Sequence, residues 1–152
     1  MARQVDFYVI GESSDAARLR LACRLAERAY LAGHRVLAWA GTDAEAEALD
    51  SLLWTFGDGS FVPHEPLGES ADAPVQITAS DGTPPGAVGF DVLLNLRAAA
   101  VPDTVEIERI VEVIDGEARR RQEGRDRFRA YRESGVAPTH HNIENESQIG
   151  NG

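Results

Sequence analysis

Residues 119–132, RRRQEGRDRFRAYR, gather seven arginines into a 152-residue chain whose formal net charge is −10. With Glu123 and Asp126 counted, the segment carries +5, which leaves −15 on the rest of the molecule. There is no lysine, so all 15 cationic side chains are arginines. A guanidinium is a planar fork of donors that grips carboxylates and phosphates through two parallel hydrogen bonds and stays charged throughout the physiological range. At a helical repeat of about 100° per residue, Arg121, Arg125, Phe128 and Arg132 fall within about 60° of one another, and Arg129 borders the stripe. Like charges four residues apart on a helix repel by roughly a few tenths of a kcal/mol per pair, so the row needs compensation. One compensation is internal, by acids of the body or by the C-terminal end of the helix dipole. The other is external: an anion carrying an apolar group, such as an acidic peptide with a hydrophobic residue or, less well, a single nucleic-acid strand.

Other chemistry is thin. Cys23 falls in the middle of a helical pattern with no histidine near it in sequence, which predicts a buried structural thiol. The four histidines, His34, His64, His140 and His141, lack ligand spacing such as HxxxH, so no metal site is expected. The acids lie on helix faces, where solvation explains them. Neither GxGxxG nor GxxxxGKS occurs, and the first turn, VIGESSD, sets Glu12 where a pyrophosphate would be repelled. No cofactor and no catalytic residue is therefore expected. Net acidity argues against nonspecific nucleic-acid binding by the body of the protein. LLWTFGDGSFVPH (52–64) brings Trp54, Phe56 and Phe61 close together in sequence, either as a satellite cluster over the sheet edge or as an exposed anchor for a partner.

The elements that must position these residues follow from pattern and punctuation. VDFYVIG (5–11) reads as a buried strand. Residues 13–33 read as a helix capped by Ser14 or Asp15, with Leu21, Leu25 and Ala29 on one face and Gly33 as its stop. HRVLAWAG (34–41) is a second strand. The helix at 42–56 opens on the capping box Thr42-x-x-Glu45 and sets Ala46, Leu49 and Leu53 on one side. Residues 57–73 and 81–89 read as loops, APVQITAS (73–80) and DVLLNLR (91–97) as strands. IERIVEVID (107–115), rich in β-branched residues, is also a strand. Asp115 is placed to cap a final helix that runs to about Ser134, and Gly135 stops it. Alternating strands and helices with short links predict an α/β protein, a single Rossmann-like three-layer domain with a mostly parallel sheet of about five strands. The expected domain spans 1–135, and the polar residues 136–152 read as a flexible C-terminal tail. With one cysteine, no signal-peptide plan and no apolar run of membrane-spanning length, a cytoplasmic location away from any membrane is expected.

Several segments, taken in order, resemble the chi subunit family of bacterial DNA polymerase III holoenzyme. They are DFYVI near the start, LACRLAERAYLAGHRVL (21–37), LDSLLWTFGDGSFVPH (49–64), PVQI (74–77), DVLLNLR (91–97) and RDRFRAYRESG (125–135). The resemblance implies a Rossmann-like fold without a nucleotide site, and a non-catalytic subunit of a DNA-directed DNA polymerase holoenzyme. It implies an adaptor that links the clamp-loader complex to single-stranded DNA-binding protein. The link would be made by holding that protein's acidic C-terminal tail, which ends in proline, phenylalanine and a free carboxylate. A basic residue, an arginine and a tyrosine that form the family's tail pocket match Arg121, Arg125 and Phe128, with Arg129 and Arg132 beside them to steer the encounter. Phe128 lacks the tyrosine's hydroxyl, and the segment around Gly116 and Glu117 is shorter than in the family. Trp54 and Phe61 match a second partner surface, where Phe61 belongs to the face that binds the psi subunit in chains that have one. DNA would be reached indirectly through these partners. Direct single-strand nucleic-acid binding by the arginine helix is the alternative function.

Overall fold

The computed structural model of the chain describes residues 3–68, 72–80 and 89–144. Among these, seven strands and three helices follow the order β1 (Gln4–Ile10), α1 (Asp15–Leu31), β2 (Val36–Ala40), α2 (Asp43–Thr55), β3 (His64–Pro66), β4 (Val75–Ala79), β5 (Val92–Asn95), β6 (Arg109–Ile114), α3 (Ala118–Glu133) and β7 (Thr139–Ile143). The strands form one sheet in the order β3-β4-β2-β5-β6-β1-β7, and every pairing is parallel.

Side chains alternate across β1. Tyr8 and Ile10 join Leu21 and Leu25 of α1 and Leu49 and Leu53 of α2 in one core. Val5 and Phe7 join Leu93, Ile110, Ile114 and Tyr131 in a second core on the other face, beneath α3. The sheet is thus covered on both sides, which explains the near-continuous apolar runs of its central strands. Cys23 is fully buried in the first core.

The α/β architecture with a parallel sheet matches the sequence reading, with seven strands in place of about five. Both additional strands sit at sheet edges. β3 is a three-residue strand inside the expected 57–73 loop. β7 lies inside the expected tail and corrects that reading over residues 139–143: THHNI, four polar residues and an isoleucine, pairs in parallel with β1 from Asp6↔Thr139 to Ile10↔Ile143. An edge strand pairs on one side only, so it needs little apolar alternation to hold its place. Residues 145–152 and most of the expected 81–89 loop lie outside the described residues.

The caps differ in detail from the sequence reading. Ser14 caps α1, accepting from the Ala17 N–H at 3.2 Å, and Thr42 caps α2, accepting from the Glu45 N–H at 3.1 Å. Glu45 completes no reciprocal box with Thr42; its carboxylate accepts from the Gly41 N–H at 3.0 Å and pairs with Arg18. Glu117, not Asp115, caps α3 through the Arg119 and Arg120 N–H groups. Asp115 is committed elsewhere, to Arg120 and to the Ser14 N–H.

Candidate functional site

Helix α3 carries two stripes offset by one residue. The inward stripe, Arg120, Gly124, Arg127 and Tyr131, fastens the helix to the end of β6. Arg120 grips fully buried Asp115 with two hydrogen bonds of 2.7 Å. Burial pulls the Asp115 carboxyl upward, but the bonds and charge of Arg120 outweigh it and hold the group below its ordinary value. Gly124 permits close approach, since a Cβ there would overlap the end of the Ile114 side chain. Arg127 Nε donates to Glu112 at 2.8 Å. The buried Glu112 also accepts from Asn95 Nδ2 at 2.8 Å and from the Tyr131 hydroxyl at 2.6 Å, while the Val101 N–H donates to that hydroxyl at 2.9 Å. Burial is the largest influence on Glu112 and raises its pKa, against the opposing pull of Arg127 and the hydrogen bonds. Burial, then the nearby Glu112 charge, raises the Tyr131 phenol above its ordinary value.

The second stripe faces a groove of about 710 Å³ between α3 and β7. Its wall is Arg121, Arg125, Phe128, Arg129 and Arg132, and its floor includes Phe7, Val9 and Ile114. Half-buried Phe128 packs on Phe7 with ring centroids 5.3 Å apart. All four guanidinium-bearing residues of this wall are exposed. Among the described residues Arg125 donates only to the Gln122 amide oxygen, at 3.3 Å, and Arg129 approaches Asp126 at 3.6 Å on the helix surface. Arg121 and Arg132 make no hydrogen bond or ion pair among the described residues. Of the two compensations open at the sequence level, internal neutralisation applies to Arg120 and Arg127, and an ion pair along the helix surface to Arg119 and Glu123 at 3.7 Å. Arg121, Arg125 and Arg132 face the groove with no carboxylate beside them among the described contacts.

Trp54 and Phe61 are brought together elsewhere. Their centroids are 6.1 Å apart, and both are more than half exposed, at 57% and 62%. Trp54 also lies 4.5 Å from the His64 ring, whereas Phe56 turns inward under Arg24. Trp54 belongs to the end of α2, so this patch and the arginine groove belong to opposite faces of the sheet. The histidines are dispersed. His34 approaches Asp91 at 3.6 Å, and His64 is buried, contacting the Val62 and Asp50 carbonyls. His141 contacts Asp6 at 3.1 Å, and His140 lines the groove.

Sequence reasoning missed the groove's opposite wall, His140 and Asn142, because these residues were assigned to a tail. It also missed the Glu112 cluster. An acid inside the apolar strand run RIVEVI was the available signal, because a buried carboxylate demands a cation or donors nearby.

The chain is thus a parallel three-layer α/β domain whose helix α3 lines a groove with exposed arginines around an aromatic ring. A profile of the family described as DNA polymerase III chi subunit, HolC, matches residues 1–139. The chain is 39% identical over 140 residues to DNA polymerase III subunit chi of Pseudomonas aeruginosa, covering 92% of this chain and 96% of that protein. The Escherichia coli K12 protein of the same name is 28% identical over 139 residues (88% and 93%), and that of Haemophilus influenzae 26% over 135 (89% and 94%). The chain belongs to the DNA polymerase III chi subunit family, a family of replication subunits. Among the described residues, no helix is long and apolar enough to cross a membrane.

Proposed function

We propose that this chain is a non-catalytic, cytoplasmic adaptor that links the DNA polymerase III clamp-loader complex to single-stranded DNA-binding protein by holding its acidic C-terminal tail. The observation that carries the proposal is the groove in which Arg121, Arg125 and Arg132 surround Phe128 without a carboxylate partner among the described residues. Arg121 and Arg125 pair with acidic side chains or the terminal carboxylate of the tail, and Phe128, backed by Phe7, packs against its apolar end. Arg129 and Arg132 steer the encounter. Hydrogen bonds to charged groups contribute roughly 1.5–3 kcal/mol each, so two or three with one buried ring give about micromolar affinity, loose enough for exchange at a moving fork. Trp54 and Phe61 form the second partner surface, with Phe61 on the face for a psi subunit where one is present.

Calorimetric titration with a peptide copying that tail tests the proposal. Arg125→Glu should abolish capture and leave thermal unfolding nearly unchanged, and binding to the wild type should weaken steeply as salt rises. Amidation of the peptide's C-terminus should weaken it as well. Unchanged binding in Arg125→Glu removes the stripe from the mechanism. Single-stranded oligonucleotide that displaces the peptide at matched concentration would favour direct nucleic-acid binding by the same helix.

A further inference from the structure

The groove has two walls, and the second is strand β7. Parallel pairing places His140 beside Phe7 and Asn142 beside Val9, on the sheet face that lies under α3. His141, between them, falls beside Tyr8 on the other face, where its ring stacks on Tyr8 with centroids 4.6 Å apart and contacts Asp6 at 3.1 Å. A slip of one residue would turn His141 into the groove and forfeit both contacts, so the register that presents His140 and Asn142 is fixed from the far side of the sheet. Both groove-facing side chains are exposed and have no hydrogen-bond partner among the described residues. They lie at or beyond the end of the family-profile match, which stops at residue 139.

We infer that His140 and Asn142 are binding residues that hold the main chain of an extended, acidic C-terminal peptide against the arginines of α3. This rests on the tail-capture reading above. Alternate residues of a strand are about 6.6 Å apart, the spacing at which an extended peptide repeats its same-side polar groups. Asn142 both donates and accepts, as main-chain amides require, and the His140 ring offers two nitrogens for hydrogen bonding. Across the groove, the stripe from Arg121 to Arg132 rises about 1.5 Å per residue, or roughly 16 Å, the length of about five extended residues. One carboxylate, Glu133, lines the groove against four arginines. A second wall without a carboxylate therefore leaves the channel cationic, and a negative charge there would oppose the ligand.

The test is calorimetry on the full chain with a peptide of about ten residues, rich in aspartate and ending in a phenylalanine with a free carboxylate. His140→Asp and Asn142→Asp should each raise Kd by about tenfold, because a carboxylate placed across the groove repels the acidic ligand. Asn142→Ala should raise it about threefold, and Thr55→Asp on α2, which adds the same charge on the other face, should leave it unchanged. Since β7 is an edge strand, hydrogen exchange at the amides of 140–142 in the wild type provides a check without mutation, with slower exchange expected on saturation. Full affinity in both aspartate variants, or exchange at 140–142 unaltered by bound peptide, overturns the second wall. If Arg125→Glu still destroys binding in that case, the tail-capture reading stands alone. A wild-type chain that does not bind the peptide at all overturns both.

Discussion

Arg125 and Arg127 stand two positions apart on α3, and truncating each to alanine should have opposite consequences. Arg127 is buried and donates to Glu112, itself fully buried with no other cation in hydrogen-bonding contact among the described residues. Removing Arg127 strands a buried carboxylate, which costs about 3–5 kcal/mol. That is a large part of the roughly 5–15 kcal/mol that holds a domain together. The penalty should also depend on pH with a definite sign. Burial already raises the Glu112 pKa, and Arg127 is the strongest influence opposing it, so its loss raises the folded-state value further. A carboxyl whose folded pKa exceeds its unfolded value of about 4.3 destabilises the protein progressively as pH rises from the unfolded toward the folded value. The deficit of Arg127→Ala relative to wild type should therefore be smaller at pH 5 than at pH 8. Adding Glu112→Gln to Arg127→Ala removes the stranded charge and should restore part of the lost stability. Arg125→Ala should change stability by no more than about 0.5 kcal/mol, since its side chain is exposed and its one hydrogen bond among the described residues is to Gln122. Denaturant unfolding followed by circular dichroism measures all four chains. A loss below about 1 kcal/mol for Arg127→Ala, or a deficit that does not change with pH, would refute the assignment of Glu112 and Arg127 as the pair that fastens α3.

Asp115 behaves in the reverse sense. Its folded pKa is lowered despite burial because Arg120 holds the carboxylate, so it contributes stability above its unfolded value of about 3.9 that is lost as pH falls through the folded value. Arg120→Gln should thus move acid unfolding to higher pH, read by tryptophan fluorescence during acid titration. A midpoint unmoved by the substitution would show that the pair contributes nothing. Trp54→Ser with Phe61→Ser should leave the melting temperature within a few degrees and tail-peptide affinity unchanged, because both rings are largely exposed and belong to the other face of the sheet. The same variant should lose retention of the psi subunit in a pull-down.

The parts of the fold legible in sequence are those whose burial imposes a pattern. Strands β1, β2, β5 and β6 have apolar residues pressed on both faces, and helices α1 and α2 carry Ser14 and Thr42 at their starts. The strands that escaped, β3 and β7, are short and lie at the sheet edges, where one partner suffices and no face must be wholly apolar. The arginine stripe was legible because helical spacing alone brings Arg121, Arg125, Phe128 and Arg132 together. Its second wall was not, because His140 reaches the groove through a pairing with Phe7 far away in the chain. Asp115 was misread as a cap for a related reason: local spacing suited it, but Arg120 and the Ser14 N–H claimed its oxygens in three dimensions.

An acidic molecule that concentrates arginine in one helix raises the question of why its own acids do not neutralise all of it. The geometry of α3 supplies a reason. Guanidiniums on the inward stripe overlook the end of β6, where Glu112 and Asp115 wait, and those two arginines are consumed in fastening the helix. A rotation of about 100° carries the neighbouring stripe over β1 and β7 instead. The residues those strands present to the groove are Phe7, Val9, His140 and Asn142, none of them acidic. The same helix can therefore be bolted down by one set of arginines and offer another set to an outside anion, without the two competing for partners. Placing an acid on that floor or on that far wall, as His140→Asp does, would convert an open site into an internal ion pair. The protein should then keep its stability and hold its ligand about tenfold more weakly, an outcome that separates a helix charged for binding from one charged only for folding.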